Sequence, residues 1–196
     1  MQLIKYVSTL SLSLFFIISC SGTTMPLKEY KDATALRDKT IKYDLQNYSK
    51  EQFDIAEANY SEAIILIDED KEPEKVKELL TAASNSYQTV LNEGLPQYAE
   101  VLKQETTLER EYSKDIKAYR VDKDNYEFAE LNYLNALSAL STNNYEEAVN
   151  CFLNVKKYHH KAYFTTKQRY DESAKALKEA EAKMQELDEL RKSSQK

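Results

Sequence analysis

Glycine and proline are scarce in this chain of 196 residues, which contains only two Gly and three Pro. Sheet-rich folds of this length need many tight turns, and these turns usually contain Gly, Pro or Asn-Gly pairs. The scarcity therefore argues against a barrel, a sandwich and any nucleotide-binding fold built on a glycine-rich loop. Charged residues make up 31% of the chain and hydrophobic residues 42%, a balance typical of long amphipathic helices. The sequence predicts an all-α protein.

A block of basic residues is also missing. The formal net charge is −6, from 27 Lys and Arg against 33 Asp and Glu. The densest basic stretches, Lys156-Lys157 and Arg191-Lys192, lie among acidic residues. Clustered cations supply most of the affinity of proteins for nucleic acid because they release counterions. We therefore expect no nucleic-acid partner.

Few residues of the kind that carry catalysis are present. His159 and His160 are the only histidines, and adjacent positions on a helix point to different faces. The motifs Gly-x-Ser-x-Gly, His-Glu-x-x-His and Cys-x-x-Cys do not occur. The acidic turn Asp68-Glu69-Asp70 lacks the Gly and the closing Glu of an EF-hand calcium loop. The sequence predicts a protein that is not an enzyme and that has no metal or cofactor.

The N-terminal twenty residues carry the strongest signal. Lys5 precedes a run of apolar or small residues over 6–18, which is too short to span a bilayer as a helix but has the length of a signal-peptide core. The run ends in Ile17-Ile18-Ser19-Cys20, which resembles a bacterial lipobox. The resemblance implies a signal peptide over 1–19, cleavage before Cys20, acyl chains on its sulfur, and a tether over 20–26. An ordinary secretory signal with an incidental Cys stays open as the alternative.

The remaining sequence predicts six to seven helices. They are expected over about 27–46, 50–68, 73–94, 97–120, 125–141 and 145–158, with a last helix that fades beyond Leu190. Gly94 followed by Pro96 has the pattern of a helix C-terminus, and His159-His160 is expected to mark a bend. A helical domain is therefore predicted over 27–190, with a disordered tail over 191–196.

Tyrosine and alanine recur together along the helices. The pattern Tyr-x-x-Ala starts at residues 30, 60, 126, 133 and 145. A spacing of three residues places the ring and the small side chain on one helix face, where the alanine lets a neighbouring helix approach closely. Such alternation of large and small side chains favours helix-on-helix packing.

Two windows of this pattern resemble tetratricopeptide (TPR) repeats, in which two antiparallel helices form a unit of about 34 residues. The residues that carry the resemblance are Ala136, Ala139, Tyr145, Ala148 and Phe152 in one window, and Ala83 and Tyr87 in the other. The resemblance implies TPR-like helical hairpins stacked in a short array. The residues alone leave an irregular helical bundle with the same Tyr/Ala packing as the alternative.

Two heptad patterns compete with this repeat. Tyr112, Tyr119, Tyr126 and Tyr133 are seven residues apart, and so are Tyr163, Tyr170, Leu177 and Met184. Ala180 and Leu187 follow Leu177 and Met184 by three residues each. Sustained apolar heptads can form a coiled coil. We interpret both as packing within one antiparallel bundle, and an intermolecular coiled coil stays open.

These features together predict a lipid-anchored protein–protein interaction module in the bacterial envelope, on its periplasmic or surface side. The membrane would be bound through Cys20, and an envelope protein through Asn132, Asn135 and Ser138, which are expected to face away from the helix core. The chain resembles spirochaete envelope lipoproteins with TPR-like helices. Two alternatives are a surface lipoprotein that binds host or matrix molecules and a small apolar-ligand carrier accessory to a solute-uptake system. The oligomeric state does not follow from the sequence.

Overall fold

Six α-helices and one 3-10 turn make up most of residues 24–194, the part of the chain that the computed structural model describes. Helices α1 to α6 span Leu27–Lys42, Lys50–Asp68, Pro73–Asp115, Ala118–Val121, Lys123–Ser141 and Tyr145–Ser193, and the 3-10 turn spans Leu45–Asn47. No strand occurs among these residues. The all-α fold with six to seven helices is therefore confirmed, whereas the predicted signal peptide and Cys20 lie outside the described residues.

The helix end predicted at Gly94 and Pro96 is wrong, because α3 continues through both for a total of 43 residues. Gly94 is buried, and a Cβ atom at this position would lie only 3.2 Å from Cβ of Leu45. The missing side chain therefore allows a close approach between α3 and the 3-10 turn. Pro96 removes one backbone donor from the helix without ending it.

The bend predicted at His159-His160 is also wrong. Helix α6 runs for 49 residues without interruption, and His159 is fully buried against the other helices. The same helix includes residues 191–193, so the first part of the predicted disordered tail is helical. At the other end, Met25 packs against the core between α1, α2 and α3, which fixes the end of the predicted tether to the bundle.

The helices form two copies of one three-helix unit, offset by 73 residues. The first unit contains α1, the 3-10 turn, α2 and the first half of α3, and the second contains the rest of α3, α4, α5 and the first half of α6. Helices α2 and α5 both have 19 residues and begin at Lys50 and Lys123. Backbone residues with left-handed φ also correspond, Asp44 with Lys117 and Asp70 with Asn143. Helix α3 therefore belongs to both units.

Equivalent positions form the cores of the two units. Ala56 and Ala63 of α2 correspond to Ala129 and Ala136 of α5, and all four are fully buried. The loop between α5 and α6 is one residue shorter than the loop between α2 and α3, so the offset becomes 72 in the third helix. The buried Leu80 of α3 thus corresponds to the buried Phe152 of α6. The repeat in the structure is thus about twice the length of a TPR unit. The TPR resemblance itself stays a prediction.

The residues predicted as the repeat core lie in two separate clusters. The larger cluster, formed by the 3-10 turn, α3, α5 and α6, buries Ala136, Ala139, Ala148 and Phe152, with Tyr145 at its edge. A smaller cluster between α2 and α3 buries Ala83 and Tyr87 against Ala56. The larger cluster holds α5 and α6 in a fixed orientation and so positions their exposed surfaces.

Candidate functional site

An arginine–glutamate pair joins two helices at the same place in each unit. Arg37 of α1 binds both carboxylate oxygens of Glu57 in α2, with Nε–Oε1 and Nη2–Oε2 distances of 2.7 and 3.0 Å. Arg110 of α3 binds Glu130 of α5 through the same atoms at 2.8 and 2.6 Å. Each guanidinium lies over a tyrosine ring, Tyr60 or Tyr133. Such bidentate pairs fix geometry more strictly than single contacts.

The third helix of each unit reaches the same glutamate. In the first unit, the Tyr87 hydroxyl donates to Glu57 Oε1 at 2.6 Å. In the second unit, His159 takes the equivalent position, with Nε2 at 3.0 Å from Glu130 Oε1 and Nδ1 at 2.7 Å from Ser113 Oγ. The Nε2–Oε1 distance suits a hydrogen bond but the alignment does not, so Ser113 provides the better-formed bond to the imidazole.

Ser113, His159 and Glu130 have the residue types of a hydrolase triad, but their burial points to a structural role. The side chains of Ser113 and His159 are fully buried between α3, α5 and α6, which leaves the serine hydroxyl no path to a substrate. We therefore assign the cluster to the joining of three helices. Sequence reasoning missed it, because its members lie on three different helices. The sequence pattern that could have revealed it is an Arg followed 20 residues later by a Glu, which occurs once in each unit.

The surroundings shift the pKa values of two members of this cluster. The hydrogen bonds from Arg110 hold the pKa of the Glu130 carboxyl below its ordinary value of 4.5. Burial lowers the pKa of His159 below its ordinary value of 6.5, and the attraction of Glu130 only partly opposes this. Both groups therefore bind protons more weakly in the folded than in the unfolded chain. By linkage, acid must destabilise the fold.

We expect the melting temperature to fall as the pH is lowered from about 6.5, with a further loss near and below pH 4.5 as Glu130 is protonated. The His159→Gln variant should lose the upper part of this dependence, because the group that resists protonation is gone. Thermal unfolding followed by circular dichroism between about pH 2.5 and 8 measures both slopes. The exposed His160→Gln is the matched control, and an unchanged slope between pH 5 and 7 in His159→Gln would contradict the assignment.

Asn132 does not belong to the surface predicted for it. Its side chain is only 7% exposed, so the expectation that it faces away from the core is wrong. Nδ2 donates to the Phe128 carbonyl at 2.8 Å, and Oδ1 accepts from Asn154 of α6 at 3.3 Å. The reason is helical spacing, since position 132 lies three residues after Ala129 and four before Ala136, both on the buried face. Asn135 and Ser138 are exposed.

Three large apolar side chains are exposed beside Asn135 and Ser138. Phe128, Leu131 and Leu134 have exposed fractions of 44%, 54% and 63%. They lie on the solvent side of α5, because the opposite side carries the alanines of the core. We call these five residues the α5 face. None of them is charged.

The equivalent face of α2 has a different character. Phe128, Leu131, Leu134, Asn135 and Ser138 correspond to Ile55, Ala58, Ser61, Glu62 and Ile65. The middle three residues of α2 are thus small or charged, and Glu62 pairs with Lys75 of α3 at 2.7 Å. Because the two units share one architecture, the fold does not require the exposed leucines of the α5 face, Leu131 and Leu134.

The last part of α6 is exposed on all sides. Every residue from Lys167 to Ser194 is exposed, a length of about 42 Å at 1.5 Å per residue. The hydroxyl of Tyr170 donates to the Ile116 carbonyl at 3.1 Å, near the base of this segment. We call residues 167–194 the free segment. Its heptad residues Leu177, Met184 and Leu187 face water, so our interpretation of this heptad pattern as packing within the bundle is wrong.

Cys151 lies on the buried side of α6. Its thiol donates to Glu147 Oε1 at 3.4 Å, and burial raises its pKa to about 11. A thiol reacts as the thiolate, so this cysteine is a poor nucleophile at neutral pH. Its contribution is that of a small apolar side chain in the core.

Similarity to known proteins does not identify this chain. Comparisons with protein-family models, curated proteins and solved structures gave no match. Among residues 24–194, no helix has the length and apolar character needed to cross a membrane, and no group of three or more metal-ligating side chains is close enough to hold an ion.

Proposed function

We propose that this protein is a lipid-anchored, non-catalytic helical module of the bacterial envelope that binds a partner protein through the α5 face. The observation that carries the proposal is the contrast between the two units. Helix α5 exposes Leu131 and Leu134 where α2 has Ala58 and Ser61. Exposed apolar patches rimmed by polar residues mark interaction sites on soluble proteins.

The chemistry of the α5 face favours a partner with an apolar ridge, such as one side of an amphipathic helix. Leu131 and Leu134 would form the centre of the contact, and Asn135 and Ser138 would supply uncharged hydrogen-bonding groups at its edge. The Phe128 ring packs against Tyr158 of α6, with ring centroids 4.5 Å apart. A ring already held in place loses little conformational freedom on binding.

The N-terminal motif supports the membrane anchor. Residues 17–20 have the lipobox-like pattern, and Cys20 precedes the bundle contact of Met25 by five residues. Five residues extend over at most about 18 Å. Acyl chains on Cys20 would therefore hold the first unit close to the bilayer and leave the second unit available to an envelope partner.

The test is chemical crosslinking of native envelopes, followed by affinity capture of the acylated chain and mass spectrometry. The double variant Leu131→Ala/Leu134→Ser copies the residues of α2 onto α5. We expect wild type to recover one dominant partner and the variant to recover roughly tenfold less, equivalent to about 1.4 kcal/mol of binding free energy. Stability should change little, since both side chains are exposed.

A matched control is Ile65→Ala, which removes an exposed apolar side chain from α2. It should leave partner recovery at the wild-type level. Equal recovery from wild type and the α5 double variant would overturn the assignment of the α5 face. Capture of a host or matrix molecule in place of an envelope protein would support the surface-lipoprotein alternative.

A further inference from the structure

The free segment leaves an apolar stripe uncovered. The stripe consists of Tyr170, Ser173, Leu177, Ala180, Met184 and Leu187, at the alternating spacing of three and four residues that defines a coiled-coil seam. Leu177, Met184 and Leu187 have exposed fractions of 62%, 66% and 64%. Most of the stability of a helix in a protein comes from packing of its apolar face, and this segment has no such packing against residues 24–166.

The free segment does not continue the three-helix repeat. Arg110 follows Tyr87 by 23 residues along α3, and Ala182 follows His159 by the same distance along α6. A third unit would need an arginine at this position to bind the glutamate of the next helix, as Arg37 and Arg110 do in their units. The segment thus lacks the residue that joins the helices of a unit. Its apolar pattern is that of a coiled-coil seam.

Charge is distributed unevenly along the free segment. Residues 167–178 contain four Lys or Arg and two acidic residues, a net charge of +2, whereas residues 179–190 contain one Lys and five acidic residues, a net charge of −4. A parallel pair of free segments would align like charges along both halves. An antiparallel pair places the basic half of each helix beside the acidic half of the other, which is favourable at both ends.

The side chains of the stripe favour the same orientation. When the antiparallel pair is centred between residues 178 and 179, Leu177 faces Ala180, Met184 faces Ser173, and Tyr170 faces Leu187 of the second copy. Leu177 and Met184 thus each face a small side chain, whereas Tyr170 and Leu187 face each other. In a parallel, in-register pair, Ser173 and Ala180 would instead face themselves and leave gaps. The centre between residues 178 and 179 thus pairs large side chains with small ones, and it also separates the basic half of the segment from the acidic half.

We propose that the free segment pairs with the free segment of a second copy of this chain, as an antiparallel coiled coil centred between residues 178 and 179. In this register the pair covers residues 167–190 of each copy, and it ends at Thr166, which is fully buried where α6 enters the bundle. The pairing is independent of the lipid anchor and of the α5 face.

Disulfide trapping in the full-length chain tests the orientation. Two differently tagged chains, one with Ser173→Cys and one with Met184→Cys, both carry Cys20→Ser, and Cys151 is buried. Mild oxidation of the mixture should give the mixed disulfide as the dominant dimer. A parallel pair would instead join Ser173→Cys to itself, because positions 173 and 184 would be about 16 Å apart along the axis.

Sedimentation equilibrium of the same full-length chain tests the pairing itself. Leu177→Asp places a charge in the centre of the seam and should weaken dimerisation by roughly tenfold or more. Ala182→Asp adds the same charge on the opposite side of the helix and should leave the dimer intact. The proposal would be overturned if wild type and both variants were all monomeric, or if the two aspartate variants weakened dimerisation equally. A disulfide that joins position 173 to itself would also overturn it.

Discussion

Replacing Gly94 with Thr should destabilise the fold by about 1–3 kcal/mol, because it introduces a side chain where α3 touches the 3-10 turn. A Cβ at position 94 would lie 3.2 Å from Cβ and 3.3 Å from Cδ2 of Leu45, which is fully buried and cannot move aside freely. The helix propensity of Thr is only slightly better than that of Gly, so it offsets little of this cost.

The second unit suggests how the lost stability can be recovered. Leu45 and Gly94 correspond there to Ala118 and Thr166, both fully buried, so the larger and the smaller residue have changed places. Leu45→Ala alone should cost about 2–5 kcal/mol through the cavity it leaves. In that background, Gly94→Thr should be close to neutral or stabilising, because its methyl and hydroxyl groups occupy the vacated volume.

Urea unfolding of the four chains measures this double-mutant cycle. We expect a coupling free energy of about 0.5–3 kcal/mol between positions 45 and 94, with an unchanged dependence on urea concentration. Strictly additive effects would mean that the two residues do not compete for one space. The equivalence of the two units at this position would then be wrong.

Replacing Cys20 with Ser should abolish membrane anchoring, because Ser has no sulfur to accept a lipid. The expected product is an unprocessed or soluble precursor, detected by fractionation and intact-mass measurement. Stable anchoring requires two or more acyl chains, each contributing about 0.8 kcal/mol per buried CH₂ group, so their loss should move the protein out of the membrane fraction.

Cys151→Ala is the matched control for this experiment. It removes the other cysteine of the chain, which is buried in α6, and it should leave processing and membrane attachment unchanged. A Cys20→Ser chain that is still membrane-bound at the mature size would contradict the lipoprotein proposal. An ordinary secretory signal would then explain the cleavage, and the membrane attachment would come from another part of the chain.

Helix boundaries were predictable where the residues that set them are close in sequence. The predicted ranges 50–68 and 125–141 agree closely with α2 and α5, whose ends adjoin acidic or asparagine-containing turns. The predictions that failed concern residues whose partners are distant in sequence. Gly94 packs against Leu45, and His159 packs against Ser113 and Glu130, so neither residue acts as a local helix signal.

The exposed surfaces were only partly predictable. Asn135 and Ser138 are exposed, but Asn132 is buried and bonded to Asn154. The apolar residues that distinguish the α5 face, Leu131 and Leu134, were not predicted, because apolar residues on a helix are usually assigned to the core. Only the packing of α5 against α6 and α4 shows which of its sides is covered.

Composition and periodicity alone determined that this protein is helical. With two Gly and three Pro in 196 residues, the chain lacks the residues for tight turns, and its apolar residues recur at helical spacing. The tertiary structure decided which apolar stripes are buried. Tyr126 and Tyr133 are half-buried beside Arg110 and His159, whereas Leu177 and Met184, at the same heptad spacing, face water. The physical reason is that periodicity gives a helix an apolar side, but burial requires another helix opposite that side, and its position depends on contacts between distant parts of the chain.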